Sequence, residues 1–307
     1  MSEHVTDTVA VDKRTPGIKS IDPLLRPLLA TLYTNRTARL RQLAAGHAEA
    51  DYLKFIAGLV DEQRALLVDQ PLKHPSGVIS DINCPVRAGL ELEQVRAYWL
   101  SARQTLLAQV SGAAPEFLRR ALEPLRQADE QTSRRTASLL LEGRSGEVDA
   151  ANALFTWAAL SLTAAQYAGF VSIERHAQVA KGENFLCPLC GSAPAGSLIM
   201  NGDRAGLRYL HCALCETRWH VVRAKCSNCA SMANLDYLSL DTATTSVKAE
   251  SCGDCSGYLK AFYREHDEHV EVCADDLATL QLDVTVSEHG YERTGISPFA
   301  FQALPSS

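Results

Sequence analysis

The sequence predicts an α+β protein in which an all-helical N-terminal domain precedes two tandem four-cysteine metal-binding modules. Apolar residues recur at helical spacing up to about residue 182, and eight of the ten cysteines form four CxxC pairs between Cys187 and Cys255. We therefore expect a flexible N-terminus over residues 1–19, a helical domain over 20–182, a first cysteine module over 183–222, and a second over 223–307 that ends in an acidic segment.

The composition excludes several classes of protein. A chain of 307 residues with 46% hydrophobic and 21% charged residues is typical of a globular fold. Its formal net charge of −6 does not favour binding to phosphate backbones or anionic lipid. The first residues have acidic side chains before basic ones and no continuous apolar run, so no secretory signal or transit peptide is predicted. We expect a cytoplasmic protein with no nucleic-acid partner and no membrane insertion.

Helical periodicity defines the elements of the first domain. The first helix is predicted to begin with Asp22 as its N-cap and Pro23 as its first helical residue, and a second helix covers Ala48–Asp69. Prolines and a glycine between residues 71 and 85 predict a loop. Further helices are predicted over Glu91–Val110, Pro115–Gln127, Glu130–Glu142 and Ala150–Gln178.

Residues 150–172 lack Asp, Glu, Lys and Arg, so this segment could be either a membrane span or a buried helix. Polar residues such as Asn152, Thr156 and Gln166 interrupt it, and alanine dominates its apolar positions. A central helix that is buried on most sides is therefore the favoured interpretation.

The cysteine-rich region contains an internal repeat. Corresponding cysteines of its two copies lie 39 or 40 positions apart, and 21 or 22 residues separate the inner cysteines of each copy. Units of about 40 residues are too small to rely on an apolar core alone, and a metal often replaces the missing core. The repeat predicts two copies of one metal-stabilised unit.

Four thiolates at this spacing suit a closed tetrahedral site for zinc or a single iron. The predicted ligands of the two metal ions are Cys187, Cys190, Cys212, Cys215, Cys226, Cys229, Cys252 and Cys255. Sequential sites are favoured because each repeat unit contains its own two pairs, but interleaved sites, in which the first and third pairs share a metal, stay open. A dithiol oxidoreductase is disfavoured because Pro188 and Gly191 oppose the helix start that such chemistry needs.

Other candidate ligands are weaker. His211 and His220 flank complete cysteine sets and are expected to pack or to make hydrogen bonds around the ligands. Residues 266–269 could form an extra site with Cys273, although a solvated acidic face is favoured, and Cys84 is expected to be a buried or incidental thiol.

The C-terminal segment is expected to pack back on the modules. Asp275 could cap a final helix, whereas the alternation of Leu280, Leu282, Val284 and Val286 also permits a strand.

The cysteine region resembles the formate dehydrogenase accessory protein FdhE family. The similarity is carried by CPLCGSAPAGSLI, RYLHCALCETRWHVVRAKCSNCA, CGDCSGYLKAF and DDLATLQLDVTVSEHGYERTG, and AAGHAEADYLKF extends it into the helical half. The resemblance implies two rubredoxin-like, or zinc-ribbon-like, modules that can hold iron, with all eight cysteines as ligands. It also implies a cytoplasmic, non-catalytic protein that is needed for active respiratory formate dehydrogenase and that binds the catalytic subunit.

Two other functional classes stay as alternatives: a rubredoxin-type electron-transfer or redox protein, and a zinc-ribbon nucleic-acid binder. The cysteine region has 6 basic and 6 acidic residues, so two loaded four-thiolate sites would make it negative, which opposes phosphate binding. Self-association is possible. Between the modules, residues 216–225 form a predicted linker in which Trp219 is a candidate partner contact, with local packing as its alternative role.

Overall fold

The computed structural model describes residues 21–79, 83–113, 116–176, 185–241 and 245–301. Helices occupy the N-terminal half, and the C-terminal half contains a mixed sheet with two further helices. The predicted flexible N-terminus and the predicted domain boundary at Gly182 lie outside the described residues.

The helices of the first half follow the predicted periodic segments closely. A short helix, α3, was not predicted, because Pro85 is its first residue rather than part of the loop. Proline is well suited to that position, where its missing N–H would have no helical partner. The helices are α1 (Leu29–Leu43), α2 (Ala50–Asp69), α3 (Pro85–Gly89), α4 (Glu93–Ala113), α5 (Glu116–Gln127), α6 (Glu130–Leu141), α7 (Ala150–Ala168) and α8 (Ile173–His176).

The predicted helix start at Asp22 is wrong, because residues 24 and 25 form a short strand, β1 (Leu24–Leu25). This strand pairs antiparallel with a strand of the first cysteine module, where Leu24 lies opposite Trp219. Pro27 also opposes helix at the residue before it. Long-range strand pairing therefore outweighs the local N-cap signal, and α1 begins only at Leu29.

Helix α7 is the buried centre of the helical domain. Every residue from Ala153 to Ala168 is buried, which agrees with the predicted central helix. It ends ten residues earlier than predicted, at Ala168, and beyond its end Arg26 donates hydrogen bonds to the carbonyls of Gly169 (2.5 Å) and Val171 (2.8 Å). Among the described residues, no helix is both long and apolar enough to cross a bilayer.

The two cysteine modules share one eight-stranded sheet. After β1, its strands are β2 (Pro194–Ile199), β3 (Arg208–Cys212), β4 (Arg218–Val221), β5 (Leu235–Leu238), β6 (Val247–Cys252), β7 (Gly257–Tyr263) and β8 (Glu292–Arg293). The strand order is β1-β4-β3-β2-β7-β6-β5, with β8 paired to β7. Strand β2 of the first module pairs parallel with β7 of the second, from Ser197 opposite Ala261 to Ile199 opposite Tyr263. The modules are therefore not two separate ribbons.

The C-terminal segment packs back on the sheet, as expected, through α9 (Val272–Ala278) and α10 (Leu280–Glu288). Glu271, not Asp275, caps α9, since its carboxylate accepts from the Ala274 amide at 2.8 Å. The strand alternative for the following residues is wrong. Leu282 and Val286 are buried four positions apart while Val284 is 50% exposed, which is helical rather than alternating burial.

A buried lysine fastens this segment to the sheet. Lys260 on β7 is fully buried, and its ammonium lies 3.1 Å from a carboxylate oxygen of Asp276 and 2.5 Å from one of Asp283. Arg293 also contacts both carboxylates, at 2.8 and 2.9 Å. Burial alone would raise the pKa of Asp276, but Arg293 and Lys260 lower it below its ordinary value.

Candidate metal centres

The first cysteine cluster lies where β2, β3 and β4 meet. Cys187 and Cys190 form the turn before β2, Cys212 ends β3, and Cys215 precedes β4. The sulfurs of Cys187 and Cys215 are 3.5 Å apart, those of Cys190 and Cys212 are 3.3 Å apart, and all four lie within 4.8 Å of one another. Each of the four residues is at most 1% exposed.

The backbone of the second turn in this cluster points toward a sulfur. The amides of Leu214 and Cys215 both donate to the Cys212 sulfur at 3.3 Å. The Cys215 thiol donates to the Thr217 hydroxyl at 3.3 Å. The two amide donors stabilise negative charge on the Cys212 sulfur, and a thiolate is the form that binds a metal.

The second cluster contains Cys226, Cys229, Cys252 and Cys255, whose sulfurs also lie within 4.8 Å of one another. The distance from Cys226 to Cys255 is 3.8 Å, and that from Cys229 to Cys252 is 3.7 Å. The Asn228 amide donates to Cys226 at 3.4 Å, and its side chain donates to Cys255 at 3.6 Å. This cluster is more open, because Cys229 is exposed and Cys255 is partly exposed.

One backbone feature is common to all four turns. The residue that follows the second cysteine of each pair has a positive φ: Gly191 (71°), Glu216 (60°), Ala230 (67°) and Ser256 (53°). The left-handed conformation closes the turn and costs an L-residue about 1–2 kcal/mol. Only the first turn uses glycine, and there a Cβ would lie 2.9 Å from the Cys84 sulfur.

The sulfur positions fit a tetrahedral metal. Four sulfurs at about 2.3 Å from a central ion are separated by about 3.8 Å in a regular tetrahedron. The second cluster has this spacing already, and the first is smaller by a few tenths of an ångström. Two such clusters could each hold one ion, and zinc and iron suit the donor set equally.

The thiols within each cluster differ in their pKa. In the first cluster burial raises the pKa of Cys187 and of Cys212 well above the ordinary value, whereas hydrogen bonds within the cluster lower the pKa of Cys215 well below it against the effect of burial. In the second cluster burial raises the pKa of Cys226 to about 12. Burial acts in the same sense on Cys255, but donors that include the Asn228 side chain lower its pKa to about 7.

The structure groups the eight predicted ligands as two consecutive sets, which is the arrangement that the repeat favours over the interleaved one. That these residues bind metal ions stays a prediction. Cys84 is only partly buried and Cys273 is fully buried, and neither belongs to a four-cysteine set.

A buried ionic network surrounds the first cluster. Arg36 on α1 donates two hydrogen bonds to Glu216, at 2.9 and 2.7 Å, and two to Glu271. His211 lies 2.6 Å from Glu216 through Nε2, and its Nδ1 accepts from Arg218 at 3.0 Å. Nε2 therefore carries the proton and donates to Glu216. Burial would raise the pKa of the Glu216 carboxyl, but Arg36 and His211 lower it to about 2.

His211, Glu216 and Cys273 form a third potential ligand group. Glu216 accepts hydrogen bonds from Arg36, and His211 Nδ1 accepts one from Arg218, so we interpret the group as an ion-pair network. His211 thus supports the residue after Cys215, as expected. Cys273 is placed in this group rather than with residues 266–269, where Asp267 instead accepts a 2.6 Å hydrogen bond from Arg39.

Sequence reasoning missed Arg36. It occupies a core position in the apolar pattern of α1, between Tyr33 and Leu40, and is 1% exposed. An arginine on the apolar stripe of a predicted helix was the available signal, because buried arginine requires acidic partners.

The helical domain holds both turns of the first cluster. Trp157 donates its indole N–H to the Ala213 carbonyl at 3.1 Å, inside the second CxxC turn. Val86 donates its amide to the Leu189 carbonyl at 2.8 Å, and Arg87 donates to the Cys190 carbonyl at 3.0 Å. The first cluster is thus built into the junction between the domains.

The predicted linker is structured. Residues 218–221 form β4, and Trp219 is fully buried, so Trp219 as a partner contact is wrong and its packing role is correct. His220 belongs to the same strand and packs edge-on against Tyr209 rather than reaching a cluster. Arg208 fixes the end of this segment by donating to the carbonyl of Lys225 at 2.7 Å.

Comparison with known proteins identifies the family. Three consecutive family models match: FdhE N-terminal over residues 21–181, FdhE central domain over 186–223 and FdhE C-terminal domain over 224–300. A protein FdhE homolog of Citrobacter koseri is 41% identical over 293 residues, covering 94% of each chain. One of Pectobacterium carotovorum is 42% identical over 282 residues, covering 92% of this chain and 91% of its own.

A solved structure is also similar. The crystal structure of the FdhE protein from Pseudomonas aeruginosa matches with a TM-score of 0.75 and 36% identity, covering 90% of this chain and 98% of that one. The resemblance drawn from the cysteine motifs is thereby confirmed. The chain belongs to the FdhE family.

Proposed function

We propose that this protein is a cytoplasmic, non-catalytic accessory factor required for the activity of respiratory formate dehydrogenase, and that it binds the catalytic subunit of that enzyme. Membership of the FdhE family over nearly the whole chain is the observation that carries this proposal. It is the family of formate dehydrogenase accessory proteins that the cysteine motifs resemble.

The geometry of the clusters supports a scaffold role for the metals. Each cluster provides four protein ligands, so a tetrahedral ion of zinc or iron would have no position left for a substrate. The ion would instead join the two CxxC turns of its cluster. In the first cluster these loops also carry the contacts to α7 and α3, so the metal would hold the helical domain and the sheet in one arrangement.

The charge of the cysteine modules supports a protein partner rather than nucleic acid. Balanced formal charge over residues 187–257, combined with a net charge of −2 for each loaded four-thiolate site, gives this segment a net negative charge. The C-terminal residues 258–307 add 9 acidic against 3 basic side chains. A phosphate backbone would be repelled by this half of the molecule.

Deletion of the gene in the host cell tests the proposal. Deletion should abolish most formate dehydrogenase activity while the catalytic polypeptide is still synthesised, and the wild-type chain supplied in trans should restore it. Tagged protein purified without oxygen should retain the catalytic polypeptide, identified by mass spectrometry. Unchanged activity in the deletion strain, together with no captured subunit, would refute the accessory role.

The electron-transfer alternative is separated by metal analysis. It requires iron and a reversible one-electron change in the visible spectrum of the anaerobically purified protein. Zinc at both sites, with formate dehydrogenase activity still dependent on the protein, would leave only the accessory role.

A further inference from the structure

The two cysteine clusters differ in their access to solvent. All four cysteines of the first are at most 1% exposed, whereas the second combines two buried cysteines with the exposed Cys229 and the partly exposed Cys255. We propose that the first site holds its metal permanently, and that the second is a ligand-exchange site at which an incoming thiolate of a partner protein can displace Cys229. This inference rests on the proposed binding of a metal at both clusters.

The surroundings of the first cluster oppose exchange. Its turns accept hydrogen bonds from Val86, Arg87 and Trp157 of the helical domain. The residue after its last cysteine, Glu216, is fixed by Arg36 at 2.7 Å in the buried network. A ligand could leave this metal only if the interface between the helical domain and the sheet opened.

The surroundings of the second cluster differ in kind. Among the described contacts, the side chains that brace its turns come from the same module and are exposed to water. Asp254 accepts from Ser231 and from Asn234 (2.6 Å), and Asn228 donates to Cys255 at 3.6 Å. Solvent competes with such hydrogen bonds, so they hold the turns less firmly than the buried contacts of the first cluster.

Cys229 is the most exposed ligand of the second cluster. Its pair partner Cys226 accepts the Asn228 amide at 3.4 Å and is 5% exposed. Cys229 is exposed, and the residue after it, Ala230, has the strained φ of 67°. Release of the Cys229 sulfur would let that turn relax without disturbing the sheet.

The exchange step requires no oxidant or reductant. The incoming thiolate donates an electron pair to the metal, the Cys229 sulfur leaves with the pair that it had shared, and that sulfur then takes a proton from water. The metal keeps four sulfur ligands and its oxidation state. Thiolate is the favoured incoming donor because zinc and iron sites of this type select sulfur.

The test uses the full chain loaded with two zinc ions. Native mass spectrometry during incubation with EDTA should show one ion leaving at least about tenfold faster than the other, which is the scale on which surrounding contacts tune metal affinity. Iodoacetamide followed by peptide mapping should modify Cys229 first, with the first cluster protected until the protein unfolds. Reduced glutathione should form a 1:1 adduct on the two-zinc chain.

Matched variants locate the labile ion. Cys229→Ser should bind one zinc normally and remove the fast-released ion, whereas Cys190→Ser should remove the slow one. Equal release rates, earlier modification of the first cluster, the absence of a glutathione adduct, or failure of the chain to bind two ions would each overturn the inference. Because these measurements use the isolated chain, they are independent of whether it captures the dehydrogenase subunit.

Discussion

Replacement of Arg36 by leucine should show how much the buried network contributes to stability. The variant removes four hydrogen bonds of 2.7–3.1 Å and leaves the Glu216 carboxylate, 1% exposed, with the His211 Nε2–H as a hydrogen-bond donor. Removing one partner of a buried ion pair costs about 3–5 kcal/mol, because the other charge stays buried without compensation. We expect a loss of that size in the free energy of unfolding.

The pKa of Glu216 gives a second route to this magnitude. Arg36 and His211 together lower it from its ordinary 4.5 to about 2 against the opposing effect of burial. At about 1.4 kcal/mol per pKa unit, that difference of about 2.5 units corresponds to about 3–4 kcal/mol of preference for the charged carboxylate. Arg36 supplies a large part of this preference, so the two arguments agree on the order of magnitude.

Urea unfolding of the metal-loaded chain, followed by circular dichroism, measures the effect. Arg41→Leu is the matched control, since Arg41 lies on the same helix but its ion pair with Asp61 is 62% exposed on the arginine side. That variant should cost no more than about 1 kcal/mol. If Arg36→Leu is no more destabilising than Arg41→Leu, the network does not hold α1 to the first module.

Three further outcomes are expected. Asp276→Asn should lower the free energy of unfolding near neutral pH, as measured by urea titration. This difference from wild type should shrink as the pH falls below about 3.9, the pKa of the carboxyl in the unfolded chain, and toward the lower pKa of the folded state. A difference that does not change with pH would contradict the lowered pKa. Ala230→Gly should raise the free energy of unfolding by up to about 1 kcal/mol, because glycine adopts the positive φ without strain, whereas Gly191→Ala should lower it. Equal effects of the two variants in thermal unfolding would contradict the turn geometry. Replacing Cys190 and Cys215 together by serine should remove one metal ion, counted by native mass spectrometry, and leave the other; weakened binding of both would support interleaved ligands.

Sequence patterns predicted correctly those elements whose structure depends on residues close to one another in the chain. The periodicity of residues 48–69 predicted α2 almost to the residue, since its apolar face packs inside the helical domain. The four CxxC pairs also assembled as two consecutive clusters, because each repeat folds on itself through short antiparallel strands.

Long-range contacts account for what the sequence did not reveal. Asp22 and Pro23 have the chemistry of a helix start, yet the next two residues pair with β4 almost 200 positions away. The alternation at Leu280–Val286 fits a strand and a helix equally well, and packing on the sheet decides for the helix. No local signal specifies the parallel pairing of β2 with β7, because its register depends on residues 60 or more positions apart.

That parallel pairing determines how loss of each metal should affect the whole molecule. The first cluster lies among β2, β3 and β4, under the contacts from α3 and α7, and next to the Glu216 network that reaches α1 and α9. The second lies at the far side of the sheet, beyond β7, where β5 is the last strand. Loss of the first metal therefore releases restraints on both domains and the C-terminal segment, whereas loss of the second frees mainly the loops around Cys229 and Asp254. With the first site restrained and the second accessible, ligands can exchange at the second metal while the first metal keeps the helical domain and the sheet in one arrangement.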